Sequence, residues 1–289
     1  MEQVVLGIIG GSGVYNMESL RDVQELRIQT PFGDPSDVVV VGTLAGVRVA
    51  FLPRHGRGHQ IMPHEINARA NIYALKSLGV EYVVSISACG SMREDRAPRQ
   101  VVVPDQLFDR TKSRPSTFFG NGLVVHISFD QPYCLQLSDL VFEAVKKTGV
   151  TVYKGGTMVV IEGPQFSTKA ESRIFRQWGV DLIGMTALPE AKLAREAEMC
   201  YAAIAHVTDY DVWHETEEPV TVAMLMDNLN ANAALTKQAL TYLAPMIAAQ
   251  KQRDCQCPTA LSTAIITQPG VIPERVKKDL ALLIGKYVK

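Results

Sequence analysis

This sequence has almost no net charge and no long apolar run. Its 289 residues carry a formal net charge of -1, so the charge balance gives no indication of a nucleic-acid or membrane-surface partner. No apolar stretch approaches the length of a membrane span, and the first residues lack the basic cluster that begins a secretory signal. We therefore expect a soluble, cytoplasmic protein.

Cysteine is scarce, and the common metal motifs are missing. The five cysteines are an odd number in a long chain, unlike the disulfide framework of a small secreted protein. Cys255 and Cys257 are one residue apart, but no third or fourth ligand is evident near them, so the pair makes a poor zinc site. A strained local disulfide stays open, and we expect two free thiols in a polar linker. Because no HExxH pattern is present either, the sequence predicts no metal site.

Apolar, β-branched runs alternate with helical patterns along most of the chain, which predicts an α/β fold. Strands are predicted at residues 4–9, 38–43, 47–52, 82–88, 101–103, 158–161 and 201–207. Helices are predicted at residues 63–78, 133–148, 168–178 and 221–250, the first three each followed by glycine. Several strands fall outside simple βαβ units, so we expect a single three-layer domain with a central mixed sheet flanked by helices.

The C-terminal part of the chain departs from this alternation. Residues 251–269 are rich in Cys, Pro, Thr and Ser, and a helical pattern returns at residues 273–287. We expect residues 1–250 to form the main domain. Residues 251–289 are expected to be a linker and a C-terminal helix that pack on the same domain.

A glycine-rich turn follows the first predicted strand. Residues 10–13 read Gly-Gly-Ser-Gly and could offer backbone N–H groups and the Ser12 hydroxyl to an anion. The dinucleotide-binding fingerprint is excluded because Asn16 stands at its third glycine position, and no Gly-Lys-Ser/Thr forms a P-loop. A plain tight turn is the alternative.

A basic stretch, residues 54–59, follows the third predicted strand. It contains Arg54, His55, Arg57 and His59. A guanidinium matches the oxygens of phosphate in a fork, and ligands bind at the carboxyl ends of strands in such sheets. We favour an anion site here over a solvated basic loop.

Small residues end the strand predicted at 82–88. Ser87 and a neighbouring backbone N–H could donate hydrogen bonds to a ligand that approaches closely. Cys89 is not expected to be a nucleophile, because no base with a fixed relation to it is evident and buried cysteine usually serves packing.

Two acidic residues, Asp209 and Asp211, end the apolar run at 201–207. If this run is a strand, both carboxyl groups point to the same side. Burying two carboxylates is costly unless something is bound there, and such a pair can donate one proton and accept one hydrogen bond on a flat heterocycle. A solvated turn at the end of the strand is the alternative.

Two other segments offer ligand contacts. Phe166 follows a strand and a turn and is placed to stack on a ring, although a core aromatic is equally compatible with its position. Met185 and Thr186 follow a short apolar run, where Thr186 could present another hydroxyl to an anion.

Together these segments resemble the family of trimeric purine nucleoside phosphorylases and methylthioadenosine phosphorylases, over about residues 4–250. Six stretches carry the resemblance, at residues 10–13, 30–33, 54–57, 87–91, 162–166 and 208–211. The resemblance implies a phosphorylase/hydrolase-like fold and a homotrimer. It also implies a reaction of purine salvage in which phosphate, as co-substrate, attacks C1′ of a nucleoside while the purine departs, with no cofactor and no metal.

The resemblance also implies roles for individual residues. It places phosphate among Ser12, Arg54, His55, Ser87, the Ala88 amide and Thr186. The backbone of Met185 would contact the ribose hydroxyls, and Phe166 would flank the base. Asp209 would protonate N7 of the departing purine, and Asp211 would accept a hydrogen bond from the N6 amine. Burial and the like charge of Asp211 should both raise the pKa of Asp209.

Specificity is implied by departures from one branch of the family. Relatives that act on 6-oxopurines carry Glu where Ser167 stands and Asn where Asp209 stands, so we expect a 6-aminopurine substrate. The 5′ pocket would be lined by Val222, Leu225 and Met226, with His59 nearby and His126 supplied by a neighbouring subunit. Plain helix packing is the alternative for the three apolar residues. An apolar pocket discriminates by only about 1–3 kcal/mol, so preference for methylthioadenosine over adenosine should be the milder one.

Other functions stay open from the sequence alone. Within the enzyme class, the substrate could be adenosine, methylthioinosine or a 6-oxopurine nucleoside. A non-catalytic nucleotide-binding protein on the same fold is a further alternative, and the missing third glycine argues against an NAD-dependent oxidoreductase.

Overall fold

The computed structural model describes residues 3–10, 17–214 and 222–288, without the side chains of residues 222–231. Within this part of the chain eleven strands form one sheet. They are β1 (Leu6–Gly10), β2 (Arg21–Leu26), β3 (Val39–Leu44), β4 (Val47–Pro53), β5 (Tyr82–Ser91), β6 (Val101–Val103), β7 (Gln106–Arg110), β8 (Val152–Lys154), β9 (Thr157–Ile161), β10 (Leu182–Gly184) and β11 (Cys200–Asp209). All seven predicted strands are present within a few residues.

The sheet is mixed, as predicted, and β5 is its branch point. Its path runs β2-β3-β4-β1-β5-β10-β9-β7, while β11 pairs with β5 and β6, and β6 pairs with β8. Strand β5 lies parallel to β1 and β11 but antiparallel to β10, which pairs only with Gly90 and Ser91 at its end. The carboxyl ends of β1, β4, β5 and β11 therefore meet at one edge, beside the point where the sheet divides.

Helices cover both faces of the sheet, which confirms the three-layer prediction. They are α1 (Ala68–Ser77), α2 (Leu135–Lys146), α3 (Lys169–Gln177), α4 (Ala187–Glu196), α5 (Val222–Ala248), α6 (Glu274–Asp279) and α7 (Ala281–Ile284). One apolar core joins α1 and α4 to one face, and a second joins α2 and α5 to the other. Neighbouring residues of β1 alternate between them, Ile8 in the second core and Ile9 in the first. No described helix is long and apolar enough to span a bilayer.

Some predicted boundaries are wrong for identifiable reasons. Helix α1 begins at Ala68 rather than near residue 63, because the Asn67 side chain accepts a hydrogen bond from the Ala70 N–H and caps it. Helix α4 was missed because Pro189 interrupts its pattern and holds Leu188 at non-helical angles, φ -113° and ψ 137°. Strand β2 was missed because most of its residues are exposed, so it has no apolar pattern.

The C-terminal segment packs against the sheet domain and is not the single helix expected at residues 273–287. Helices α6 and α7 divide that stretch, and short 3₁₀ turns precede them at Cys257–Thr259 and Pro269–Val271. Ile265 forms a β-bridge with Val125. The buried carboxylate of Glu198 accepts a hydrogen bond from Tyr287 at 2.6 Å and pairs with Lys286 at 2.5 Å.

The cysteines give a further correction. All five are free thiols, as expected for Cys255 and Cys257. The surroundings are not a polar linker, however, because Cys257 is buried and both residues meet Cys134 and Cys200. The expectation that no third or fourth ligand lies nearby is therefore wrong, because residues distant in sequence supply them.

Candidate active site

The candidate active site lies where the sheet divides. Arg54 and His55 follow β4, Ser87 and Ala88 lie on β5, and Asp209 ends β11. Parallel strands with adjoining carboxyl ends bring these groups to one edge, as ligand sites in such sheets require. Ser12 falls outside the described residues.

Arg54 is buried and engaged by an unexpected partner, Glu190 of α4. Its Nε lies 2.5 Å from one carboxylate oxygen of Glu190, and Nη2 lies 3.1 Å from the other. The guanidinium also donates to Ser85 Oγ at 2.7 Å and to the Ile86 carbonyl at 2.9 Å. Burial lowers the pKa of Arg54, but the charge and hydrogen bonds of Glu190 outweigh this and raise it. Arg54 therefore has one side of its fork filled by a carboxylate.

His55 is held as a neutral ring. Its Nδ1 lies 2.8 Å from the Ile61 carbonyl, so Nδ1 carries the proton and donates it. Burial, with the neighbouring charge of Arg54, lowers the pKa of His55 to about 4. Nε2 is therefore a hydrogen-bond acceptor at neutral pH. The ring of His59 stacks on it with centroids 4.2 Å apart, which places His59 at this end of the site.

A row of hydroxyl groups extends from Arg54. Ser85 Oγ lies 3.4 Å from Ser87 Oγ, which lies 3.2 Å from Thr186 Oγ1. Thr186 precedes α4, but its hydroxyl does not cap that helix. The structure thus brings together Ser87 and Thr186, two hydroxyl donors that the sequence placed in one anion site, and Ala88 follows Ser87 in β5.

Asp209 is buried at the end of β11. One carboxylate oxygen accepts from Thr208 Oγ1 at 2.7 Å, and the other accepts from the Asp211 N–H at 2.8 Å. Burial raises the pKa of Asp209, and these two hydrogen bonds only reduce the effect. The carboxyl group fits because Gly90 has no side chain; a Cβ there would lie 2.8 Å from Asp209 Oδ1.

Asp211 reaches the site by a different route from the one predicted. Strand β11 ends at Asp209, so the two carboxyl groups do not share a strand face, and that expectation is wrong. Asp211 lies in a turn with φ 53°, held by its N–H donating to Asp209. Burial raises the pKa of Asp211, an effect that Ser172 of α3 reduces and the Asp209 charge increases. Its buried Oδ2 has no hydrogen-bond partner in the described part of the chain.

The turn after β9 supplies the ring-stacking candidate and a second unpartnered atom. Phe166 is 42% exposed, so it is not the core aromatic that the sequence left open. Ser167 Oγ is buried without a hydrogen-bond partner among the described residues. Helix α3 connects this turn to the acidic pair, since it begins two residues after Ser167 and carries Ser172 beside Asp211.

Arg114 is a site residue that the sequence analysis missed. One guanidinium nitrogen donates to the carbonyl groups of Met185 and Leu188 at 2.5 and 2.8 Å. The other donates to the Glu162 carbonyl at 2.5 Å. Arg114 therefore fixes the Met185 backbone, the expected ribose contact, against the end of β9. Arg114 is a single arginine before a proline in a polar loop, and nothing in the neighbouring sequence predicts its hydrogen bonds to distant carbonyl groups.

The residues expected around the 5′ end are described less fully. Val222, Leu225 and Met226 lie in the first turns of α5, as predicted, but their side chains are outside the described residues. The side chain of His126 is exposed, and its backbone N–H donates to the Ala264 carbonyl in the C-terminal segment. An exposed histidine at this position is able to contact another subunit.

Known proteins resemble the chain over almost its whole length. A sequence model of the phosphorylase superfamily matches residues 5–244. The chain is 54% identical to the S-methyl-5′-thioadenosine phosphorylase of Koribacter versatilis, over 99% of this chain and 97% of that protein. The corresponding protein of Geobacter sulfurreducens is 52% identical over 100% of both chains, so residues 251–289 are matched as well.

Solved structures agree. A methylthioadenosine phosphorylase from an Antarctic soil metagenomic library superimposes with a TM-score of 0.94 at 45% identity, covering 98% of this chain and 99% of that one. The methylthioadenosine phosphorylase of Schistosoma mansoni in complex with adenine gives a TM-score of 0.83 at 33% identity, covering 98% of both chains.

Proposed function

This chain belongs to the phosphorylase superfamily, as its six sequence stretches predicted, and we propose that it cleaves 5′-methylthioadenosine with inorganic phosphate. The products are adenine and 5-methylthioribose 1-phosphate, which makes the enzyme a pentosyltransferase. The observation that carries the proposal is the buried acidic pair: Asp209 with a raised pKa, beside Asp211 with an unpartnered oxygen.

Phosphate binds at the Arg54 end of the site. The hydroxyl groups of Ser87 and Thr186 donate to its oxygens, together with the Ala88 amide and Ser12. Neutral His55 accepts through Nε2, and phosphate at neutral pH still carries a proton to donate. The Glu190 carboxylate offsets the charge of Arg54, so directional hydrogen bonds hold the anion more than net charge does.

The purine departs at the acidic end. Phosphate attacks C1′ as the glycosidic bond breaks, and the sugar gains oxocarbenium character while negative charge collects on the base. Asp209, kept protonated to a higher pH than usual by burial, protonates N7 and neutralises that charge. General-acid help of this kind is typically worth about 10²–10⁴-fold in rate. Phe166 flanks the base, and the Met185 backbone, fixed by Arg114, contacts the ribose.

Specificity for a 6-aminopurine follows from the unpartnered oxygen of Asp211. An adenine N6 amine donates to it, whereas the O6 atom of hypoxanthine has no proton to offer. Discrimination against a base that leaves a buried polar group unpaired reaches about 10⁴–10⁵-fold. Ser167 has a short hydroxyl in place of a carboxylate, so the charged acceptor for the N1–H of a 6-oxopurine is missing.

The oligomeric state of the enzyme and the surroundings of the methylthio group are part of the same proposal. We propose a homotrimer, as the family resemblance implies, in which each site takes the exposed His126 from a neighbour, with His59, Val222, Leu225 and Met226 around the methylthio group. The enzyme is proposed to need phosphate as co-substrate and no cofactor. The cytoplasmic location expected from the sequence stays a prediction.

A phosphorolysis panel tests the proposal. Methylthioadenosine, adenosine, methylthioinosine and inosine are each incubated with the enzyme, with and without phosphate, and release of the free base is measured. We expect rapid, phosphate-dependent release of adenine from methylthioadenosine, a milder decrease with adenosine and a severe decrease with both 6-oxopurines. Equal kcat/KM on methylthioinosine and methylthioadenosine would refute the specificity. Failure to release adenine in the presence of phosphate would refute catalysis and would favour the alternative of a non-catalytic nucleotide-binding protein.

A further inference from the structure

Four of the five cysteines form one compact cluster away from the acidic pair. The Sγ atoms of Cys134, Cys200, Cys255 and Cys257 all lie within 4.8 Å of one another. Three of these residues are buried and Cys255 is half-buried. Cys89, the fifth, lies apart on β5, where its thiol donates to the His206 carbonyl. We propose that these four cysteines are a structural zinc site.

The spacing of the thiols suits a tetrahedral metal better than pairwise bonds. A zinc ion with bonds of about 2.3 Å to four sulfurs holds them about 3.8 Å apart. Cys200 and Cys255 already lie 3.5 Å apart, and no pair exceeds 4.8 Å, so small side-chain rotations complete the tetrahedron. Four sulfur ligands in tetrahedral geometry are typical of zinc or of iron–sulfur centres.

The surroundings favour the thiolate form that a metal requires. Cys134 stands immediately before α2, where the helix dipole stabilises negative charge. The position of Cys134 at the start of a helix therefore suits a metal-bound thiolate.

The binding step balances without any other reactant. Four thiols and one Zn²⁺ give one tetrathiolate zinc centre and four protons, which pass to solvent through the half-buried Cys255 side. Two disulfides would instead require the removal of four electrons by an oxidant.

The site would join three parts of the chain. Cys134 stands immediately before α2, Cys200 begins β11, and Cys255 and Cys257 belong to the C-terminal segment. The Cys134 N–H also donates to the Tyr201 carbonyl at 2.8 Å, so the first two parts are in register without the metal. The zinc therefore adds an anchor for the C-terminal segment, whose Ala264 and Ile266 bond to the backbone around His126.

The test is metal analysis of the full-length enzyme, expressed with zinc and purified with a non-chelating reductant. We expect one zinc ion per chain by mass spectrometry. After removal of the zinc, Co²⁺ should restore one equivalent, with the visible bands of tetrahedral cobalt and a thiolate charge-transfer band. Chelation should lower Tm by at least about 5 °C, because structural zinc contributes folding free energy.

Matched variants locate the ligands. Cys134→Ser and Cys257→Ser should lose stoichiometric zinc, whereas Cys89→Ser, the control outside the cluster, should keep it. If a variant does not fold, the cobalt spectrum of the unaltered chain still tests the proposal. Three results would overturn the proposal. The enzyme could contain no metal, have five titratable thiols and take up no Co²⁺. It could contain no metal and have disulfides that a reductant opens, or it could contain a coloured centre with iron.

Discussion

Replacement of Asp209 by Asn removes a proton donor while almost preserving its shape. The amide oxygen still accepts from the Asp211 N–H, and the hydroxyl of Thr208 turns to accept from the new NH₂ group, so the local fold should hold. What is lost is the proton for N7. The expected decrease in kcat is about 10²–10⁴-fold, or about 3–5 kcal/mol of transition-state stabilisation. Rates should be measured as adenine release at saturating phosphate, with Asp95→Asn, which changes an exposed carboxylate, as the control.

The pH profile separates general-acid catalysis from a simple loss of charge. Burial raises the pKa of Asp209, so the carboxyl group keeps its proton to a higher pH than a free aspartic acid. In the native enzyme kcat should be highest below this pKa and decrease as pH rises through it, because the proton is then lost. The variant should lack that alkaline decrease. An unchanged kcat, or a variant that keeps the same alkaline decrease, would remove Asp209 from the role of general acid.

Three other substitutions test separate parts of the site. Asp211→Asn should reduce the kcat/KM preference for methylthioadenosine over methylthioinosine at least about tenfold, because an amide can donate to O6; an unchanged ratio would exclude Asp211 from reading the base. Gly90→Ala should reduce kcat about 10²-fold, because its Cβ would lie 2.8 Å from Asp209 Oδ1 and displace the carboxyl group; native kcat would contradict that close packing. Glu190→Gln should reduce the free energy of unfolding in urea by about 3–5 kcal/mol, since Arg54 would be left buried without a counter-charge, and a native urea midpoint would show that the ion pair contributes nothing.

The sequence predicted the sheet, and it predicted that most residues of the candidate site lie together, because local sequence patterns carry both features. Buried strands appear as apolar runs, and hydroxyls, histidines and acids directly after them converge at one sheet edge. Arg114 and Glu190 could not be found this way, because each acts on residues far away in sequence: Arg54 and Glu190 are 136 residues apart. The cysteine cluster could not be predicted for the same reason, since nothing in the sequence near Cys134 and Cys200 indicates that they contact Cys255 and Cys257.

The position of Asp211 shows how the sequence can predict that two acids lie together but give the wrong structural reason. Strand alternation would have placed both carboxyl groups on one face at a fixed spacing. The structure uses a left-handed residue instead, so that the Asp211 N–H donates to the Asp209 carboxylate while its own Oδ2 stays without a partner among the described residues. This turn suits the two acids to the different roles proposed for them. Asp209 has both oxygens hydrogen-bonded, which would hold its orientation while it exchanges a proton, whereas Asp211 has an open acceptor that a substrate amine would satisfy. The difference between the two carboxyl groups therefore comes from the turn and not from strand alternation.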